Sequence, residues 1–297
     1  MSGELQKYFK LRILPDPKLD DYWDKIVVPE EDKFILLNYA KMISSLDGIS
    51  PAVAGLYKAV LFYGPTGTGK SSIAKGYANK VAELFWNESQ TTLLEFNAHE
   101  VLSEWLGQSS KRISEAFDQL KFCARHQPTI LIGDEIEMLF YDRLSMMNPS
   151  DPSDLVRAVD TLLREIDELR FMDRILFIAT SNLPGAIDNA AWDKFDVKIK
   201  FGYPNEQGRA EILQNCFNEF SKMGLELNGD DATSIAKATT RLSPRGLTRV
   251  VSWAMVLTGK ECKEITLQDL MNAAEDLVRR ENANFRRRRR NRNGHSN

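Results

Sequence analysis

Residues 64–71 read GPTGTGKS, which fits the pattern G-x-x-x-x-G-K-[ST]. That spacing can cradle a polyphosphate: Gly64, Gly67 and Gly69 let backbone N–H groups turn inward, with Pro65, Thr66 and Thr68 filling the loop between them. Lys70 is placed to reach β- and γ-phosphates, the Ser71 hydroxyl to ligate Mg2+, and Ser72 continues the anion-facing turn. Two adjacent acids, Asp134 and Glu135, follow the apolar run TILIG (129–133). They predict a division of labour, with Asp134 holding the metal and Glu135 acting as general base on water. Asn182, closing ATSN (179–182), carries an amide suited to positioning that water. The chemistry these types permit is hydrolysis of a nucleoside triphosphate.

Such groups need a scaffold that brings them to one edge. KAVLFYG (58–64) reads as an apolar strand running into the glycine loop, and Ile73, Ala74, Tyr77, Val81 and Leu84 follow at helical spacing over 70–85. TTLLEFNA (91–98), TILIG (129–133), RILFIATSN (174–182) and VKIKFGYP (197–204) are further candidate strands. Between them, 109–124 and 152–170 read as helices, the second behind an Asp151 cap and Pro152. Alternation of apolar strands with helices predicts an α/β fold: a five-stranded parallel sheet covered on both faces. After Pro204 only helical patterns remain, at 206–222, 230–239, 243–258 and 266–280. The chain therefore divides into an N-terminal segment (1–57), an α/β core (58–204), a small all-helical domain (205–285) and a tail (286–297).

Composition sets outer bounds. At 297 residues and 43% hydrophobic, the chain can bury one large or two modest cores. It has no apolar run of membrane-spanning length, and MSGELQKYFK lacks a signal-peptide core, so a cytoplasmic location with no membrane partner is the default expectation. Cys123, Cys216 and Cys262 have neither disulfide nor zinc spacing. The net charge of −3 conceals six arginines, Arg286 to Arg290 and Arg292; without them 33 basic residues face 42 acidic ones, a net of −9. A run of like charge predicts a disordered tail. Nucleic acid is reachable only through that tail, because the acidic body would repel a polyanion.

Taken together, the glycine loop, the Asp134–Glu135 pair, Asn182 as sensor 1 and Arg245 in LSPRGL (242–247) as sensor 2 resemble the AAA+ ATPases, with the helical domain as lid. The likeness narrows to the pachytene checkpoint family through YWDKIV (22–27), LFYGPTGTGKSS (61–72), EFNAHEVLSEWLGQSSK (95–111), DPSDLVRAVDTLLREID (151–167) and TSNLPGAIDNA (180–190). This resemblance implies ATP and Mg2+ as ligands and a hexameric ring that remodels HORMA-domain proteins. It also implies that Trp105 and Leu106, between the second strand and the next helix, form a pore loop gripping the client. Bacterial members act on HORMA proteins that license cGAS-like second-messenger synthases in antiphage defence. Only 63 residues precede Gly64, which suggests a minimal, bacterial-type member.

Two positions depart from the family pattern. Gly133 replaces an apolar residue and is expected to weaken local strand packing. Lys194 in AWDKFDV stands where an arginine finger is expected; it supplies charge without the guanidinium fork, which leaves Arg157 and Arg143 as alternatives. Two rival functions follow from the same residues. One is a nucleic-acid-directed loader using the arginine tail; the other is a nucleotide-gated scaffold with little turnover, against which the complete set of Lys70, Asp134 and Glu135 argues.

Overall fold

The computed structural model describes residues 5–46, 49, 51–86, 90–97, 109–138, 153–187 and 189–293. Asp151, Pro152, Arg143, Trp105 and Leu106 lie outside them. The chain divides into two compact units, Met1–Pro65 with Lys70–Phe201, and Thr66–Gly69 with Gly202–Asn297.

The first unit is built on strands β1 (Lys10–Leu14), β2 (Ala59–Tyr63), β3 (Thr91–Asn97), β4 (Thr129–Asp134), β5 (Ile175–Ser181) and β6 (Val197–Lys200), in spatial order β1-β3-β4-β5-β2-β6. Five strands are parallel, and the expected count of five is corrected to six by β1, which pairs antiparallel with β3 from Lys10↔Glu95 to Leu14↔Thr91. KLRIL is short, carries two cations and stops at Pro15, so it lacks the apolar continuity of a central strand. Those are edge-strand traits.

Helices α1 (Asp20–Asp24), α2 (Glu30–Ser44), α3 (Lys70–Phe85), α4 (Ser109–His126) and α5 (Ser153–Leu169) cover the sheet. Strand alternation sorts the core into two layers. Leu61, Leu131, Phe177 and Ala179 pack with Ile113, Phe117 and Leu120 of α4 and Val159 and Leu162 of α5. On the other face Val60, Phe62, Ile130, Ile132 and Ile178 meet Leu36 of α2 and Ile73, Tyr77 and Val81 of α3. Both faces thus carry an apolar layer, as a doubly covered parallel sheet requires.

Gly133 behaves differently from the expectation of weak packing. A Cβ there would lie 2.9 Å from Phe96 Cζ, 3.0 Å from Ile136 Cγ2 and 3.2 Å from Phe177 Cε2. Two phenyl rings and an isoleucine already fill the space a side chain would take.

The second unit contains α6 (Glu206–Phe220), α7 (Gly229–Ala238), α8 (Pro244–Thr248), α9 (Val250–Thr258) and α10 (Leu267–Asn293) around Leu213, Phe217, Ile235, Leu247, Val250 and Leu270. Asn205, Asn228 and Ser243 cap α6, α7 and α8 through their side chains. The pattern at 243–258 predicts one helix, but it breaks at Arg249, whose N–H reaches Gly246 O at 3.2 Å and tightens the turn. In place of a disordered tail from Arg286, the backbone stays helical through Asn293. Arginine is a good helix former, and the register continues from an anchored helix. Among the described residues no helix is long and apolar enough to cross a membrane.

Gly133→Val should lower stability by about 1–3 kcal/mol through overpacking, read as a reduced urea midpoint. A midpoint unchanged or raised would restore the weak-packing reading.

Candidate functional site

β2 delivers the chain to Gly64, which adopts φ +141°. A Cβ at Gly64 would sit 1.9 Å from Phe201 O, so only glycine fits between β2 and the end of β6. Lys70 opens α3 and is only 5% exposed; its ammonium donates to Gly64 O at 2.9 Å and Pro65 O at 2.7 Å. Pro65 and Thr66 are exposed, Gly67 and Gly69 half-buried, Thr68 buried, and Ser72 half-buried in the first turn of α3. An ammonium this deeply placed favours an anionic ligand beside it. In the second unit, which takes in Thr66–Gly69, the Arg245 N–H donates to Gly67 O at 3.1 Å.

The carboxylates described next lie in the first unit. Asp134, last residue of β4, accepts from Ser71 Oγ at 2.7 Å and from Thr180 Oγ1 of β5. A hydroxyl and a carboxylate are the hard oxygen donors Mg2+ prefers, so Ser71 and Asp134 suit it. Among the described residues no cluster of three or more His, Cys, Asp or Glu could hold a metal alone. Such a cation would depend on phosphate oxygens and water for the rest of its shell.

Glu135 takes a left-handed backbone, φ +57°, uncommon for a residue with a side chain. Its N–H donates to Thr180 Oγ1 at 3.2 Å, and its Oε1 accepts from Asn182 Nδ2 at 3.1 Å. The structure thus brings Asn182 onto the carboxylate itself. The Asn182 N–H in turn donates to both oxygens of Glu137 at 3.2 Å, and Glu137 is 6% exposed. Sequence reasoning missed Thr180 and Glu137. Thr180 could have been found, since it lies at the C-terminal end of β5, one residue before the strand's last and two before Asn182. Glu137 had no signal beyond being one more acid in GDEIEM.

Ser71, Asp134, Thr180, Glu135 and Asn182 therefore form one hydrogen-bonded set along the C-terminal edge of the parallel strands, where open α/β sheets bind ligands, and Lys70 directly precedes Ser71. Lys194 is not part of it. Its ammonium pairs with Asp167 Oδ1 of α5 at 2.6 Å and lies 5.4 Å from the Tyr57 ring centre. Arg157 is exposed on α5.

The chain has relatives among known proteins. The family model described as "ATPase family associated with various cellular activities (AAA)" matches residues 60–203. The CD-NTase-associated protein 6 of Pseudomonas aeruginosa is 35% identical over 212 residues, 70% of this chain and 69% of that protein. A pachytene checkpoint protein 2 homolog of Oryza sativa is 32% identical over 217 residues, 71% of this chain and 46% of that protein. The chain is an AAA ATPase of the pachytene checkpoint family. It spans about half the length of the curated pachytene checkpoint relatives it matches. In fold this AAA ATPase resembles Caenorhabditis elegans PCH-2, with a TM-score of 0.77 at 24% identity over 93% of this chain and 76% of that one. It also resembles a chain of the HORMA:CdnC:Trip13 complex from E. coli MS115-1, with a TM-score of 0.76 at 16% identity over 92% of this chain and 96% of that one.

Thr180→Val keeps the shape but removes the hydroxyl that serves both Asp134 and Glu135. It should lower kcat for ATP hydrolysis about tenfold or more, the scale of one charge-assisted hydrogen bond, with little change in KM. Steady-state phosphate release measures this, and an unchanged kcat would remove Thr180 from the site.

Proposed function

We propose that the chain is a Mg2+-dependent ATP hydrolase that works in the cytoplasm as a hexameric ring and remodels HORMA-domain proteins by drawing a segment through its pore. The observation carrying the hydrolytic part is the hydrogen bond from Asn182 Nδ2 to Glu135 Oε1, which aims the carboxylate of a residue already fixed in a left-handed backbone. In this reading Lys70 binds the β- and γ-phosphates and Arg245 is a sensor 2 contact to the nucleotide. Glu135 takes the proton of the attacking water as its oxygen bonds to the γ-phosphorus, and ADP and inorganic phosphate leave. Ser71 and Asp134 would hold Mg2+, which supplies positive charge for the phosphate oxygens.

Two relatives support the client class: one is named as associated with a CD-NTase, and the other belongs to a solved complex named for a HORMA protein, CdnC and Trip13. A role in a bacterial antiphage system built on a cGAS-like synthase follows from the same likeness. Ring assembly places one subunit's basic residue at its neighbour's phosphates, a heterologous contact that closes on itself. Lys194, Arg157 or Arg143 would serve there, and Trp105 with Leu106 would wedge against the threaded backbone.

Glu135→Gln should bind ATP while phosphate release falls about 100-fold or more, the usual contribution of a general base. In the native host this variant should retain its client, and mass spectrometry of the captured material should find a HORMA-domain protein. Capture of nucleic acid without such a protein would overturn the client class, and normal turnover would remove Glu135 from its role. Trp105→Ala should keep hydrolysis within a few-fold, roughly, yet fail to remodel the captured client. Remodelling at the unmodified rate would take Trp105 out of the pore.

A further inference from the structure

We infer that Glu281, on the C-terminal helix α10, is a positioning residue for the nucleotide contact made by Arg245. The inference rests on the reading of Arg245 given above and goes beyond it, because Glu281 lies 36 positions along the chain from Arg245 and belongs to no nucleotide-binding motif.

Arg245 sits in α8, a helix of five residues that makes too few internal hydrogen bonds to hold itself. Its entry is fixed from outside. Glu281 Oε2 accepts from the Ser243 N–H at 3.0 Å, and Oε1 accepts from the Ser243 hydroxyl at 2.6 Å. With its proton committed to Glu281, the Ser243 oxygen has a lone pair for the Gly246 N–H at 3.1 Å. Ser243 is 5% exposed, so its N–H could not turn to bulk water if the carboxylate were removed.

Two small residues make room for this contact. A Cβ on Gly246 would lie 2.8 Å from Glu281 Oε1 and 2.7 Å from the Leu242 side chain, so the bare glycine lets the carboxylate reach the helix entry. A Cβ on Gly67 would lie 3.4 Å from both Ser243 Oγ and Arg245 Cβ. The residue that Glu281 grips and the residue that carries the guanidinium therefore pack side by side on the phosphate-loop glycine. The Arg245 N–H bond to Gly67 O, at 3.1 Å, holds them there. Glu281 acts through Ser243 on the placement of Arg245, and touches no nucleotide in doing so.

The test is a double-mutant cycle on the full chain, with ATP KM, kcat and unfolding temperature measured for Glu281→Ala, Glu281→Gln, Arg245→Ala and the Glu281→Ala/Arg245→Ala pair. Glu281→Ala should raise KM about tenfold, the scale of one charge-assisted hydrogen bond. Glu281→Gln should lose less, because an amide can accept from the Ser243 N–H while donating to the Ser243 oxygen. In the Arg245→Ala background Glu281→Ala should add nothing further. Multiplying losses, or a lower unfolding temperature with KM unchanged, would overturn the inference. Should Glu281→Ala fail to fold, Glu281→Gln takes its place in the same cycle: additivity with Arg245→Ala overturns the inference, and absence of additivity upholds it. If Arg245→Ala leaves ATP use unchanged, the assigned role of Arg245 falls and this inference with it. If Arg245→Ala impairs ATP use while both Glu281 variants do not, the inference alone falls.

Discussion

The site depends on one carboxylate oxygen. Asp134 Oδ1 accepts from Ser71 at the start of α3 and from Thr180 near the end of β5, so a single acceptor draws together three elements of the sheet layer. Parallel strands make this meeting available, since their C-terminal ends reach the same edge and helices begin there. Thr180 extends the constraint. Its hydroxyl gives its proton to Asp134 and has lone pairs left for the Glu135 N–H, which pulls Glu135 into a left-handed backbone. Such a conformation costs on the order of 1–3 kcal/mol and persists where surrounding bonds over-determine it. Here those bonds come from Thr180 on the main chain and Asn182 on the side chain.

A second consequence is that the sensor and the base are one assembly. Asn182 grips Glu135 with its amide and is itself gripped at its N–H by the buried Glu137 carboxylate. Two acids thus share one asparagine, one on its side chain and one on its main chain. Glu137 fixes the asparagine, so Glu135 can be aimed without being buried.

The parts legible in the sequence were those written in periodicity or in a dense local motif. Of the five parallel strands, β2, β4 and β5 announce themselves as apolar runs, and GPTGTGKS fixes the loop, the start of α3 and the positions of Lys70 and Ser71 within one short stretch. Asp134 and Glu135 follow from their place after β4. What could not be seen depends on partners far apart in the chain. β1 is an edge strand whose identity comes from pairing with β3, some eighty residues on. The fit of Gly133 is set by Phe96 and Phe177, and no local pattern reports that two rings will converge on it. Lys194 is placed by Asp167 and Tyr57, from an earlier helix and an earlier loop. Motif order alone could not supply either partner.

The N-terminal segment, which sequence reasoning divides from the core at residue 57, is bound into that core by Asp196. This carboxylate accepts from Tyr39 Oη at 2.6 Å and from the N–H groups of Tyr57 at 3.0 Å and Ala59 at 3.3 Å. Burial, together with the Asp196 charge, pushes the Tyr39 phenol far above its ordinary range, so it stays a proton donor. Tyr77 Oη donates to Leu36 O at 2.9 Å, and β1 closes one edge of the sheet. A trimmed gene product beginning at the first residue of the nucleotide-binding motif's strand would therefore lack edge strand β1, helices α1 and α2, and two of the three donors to Asp196. The compact α/β unit takes in residues before Lys10, since Leu5 and Phe9 are buried in its core.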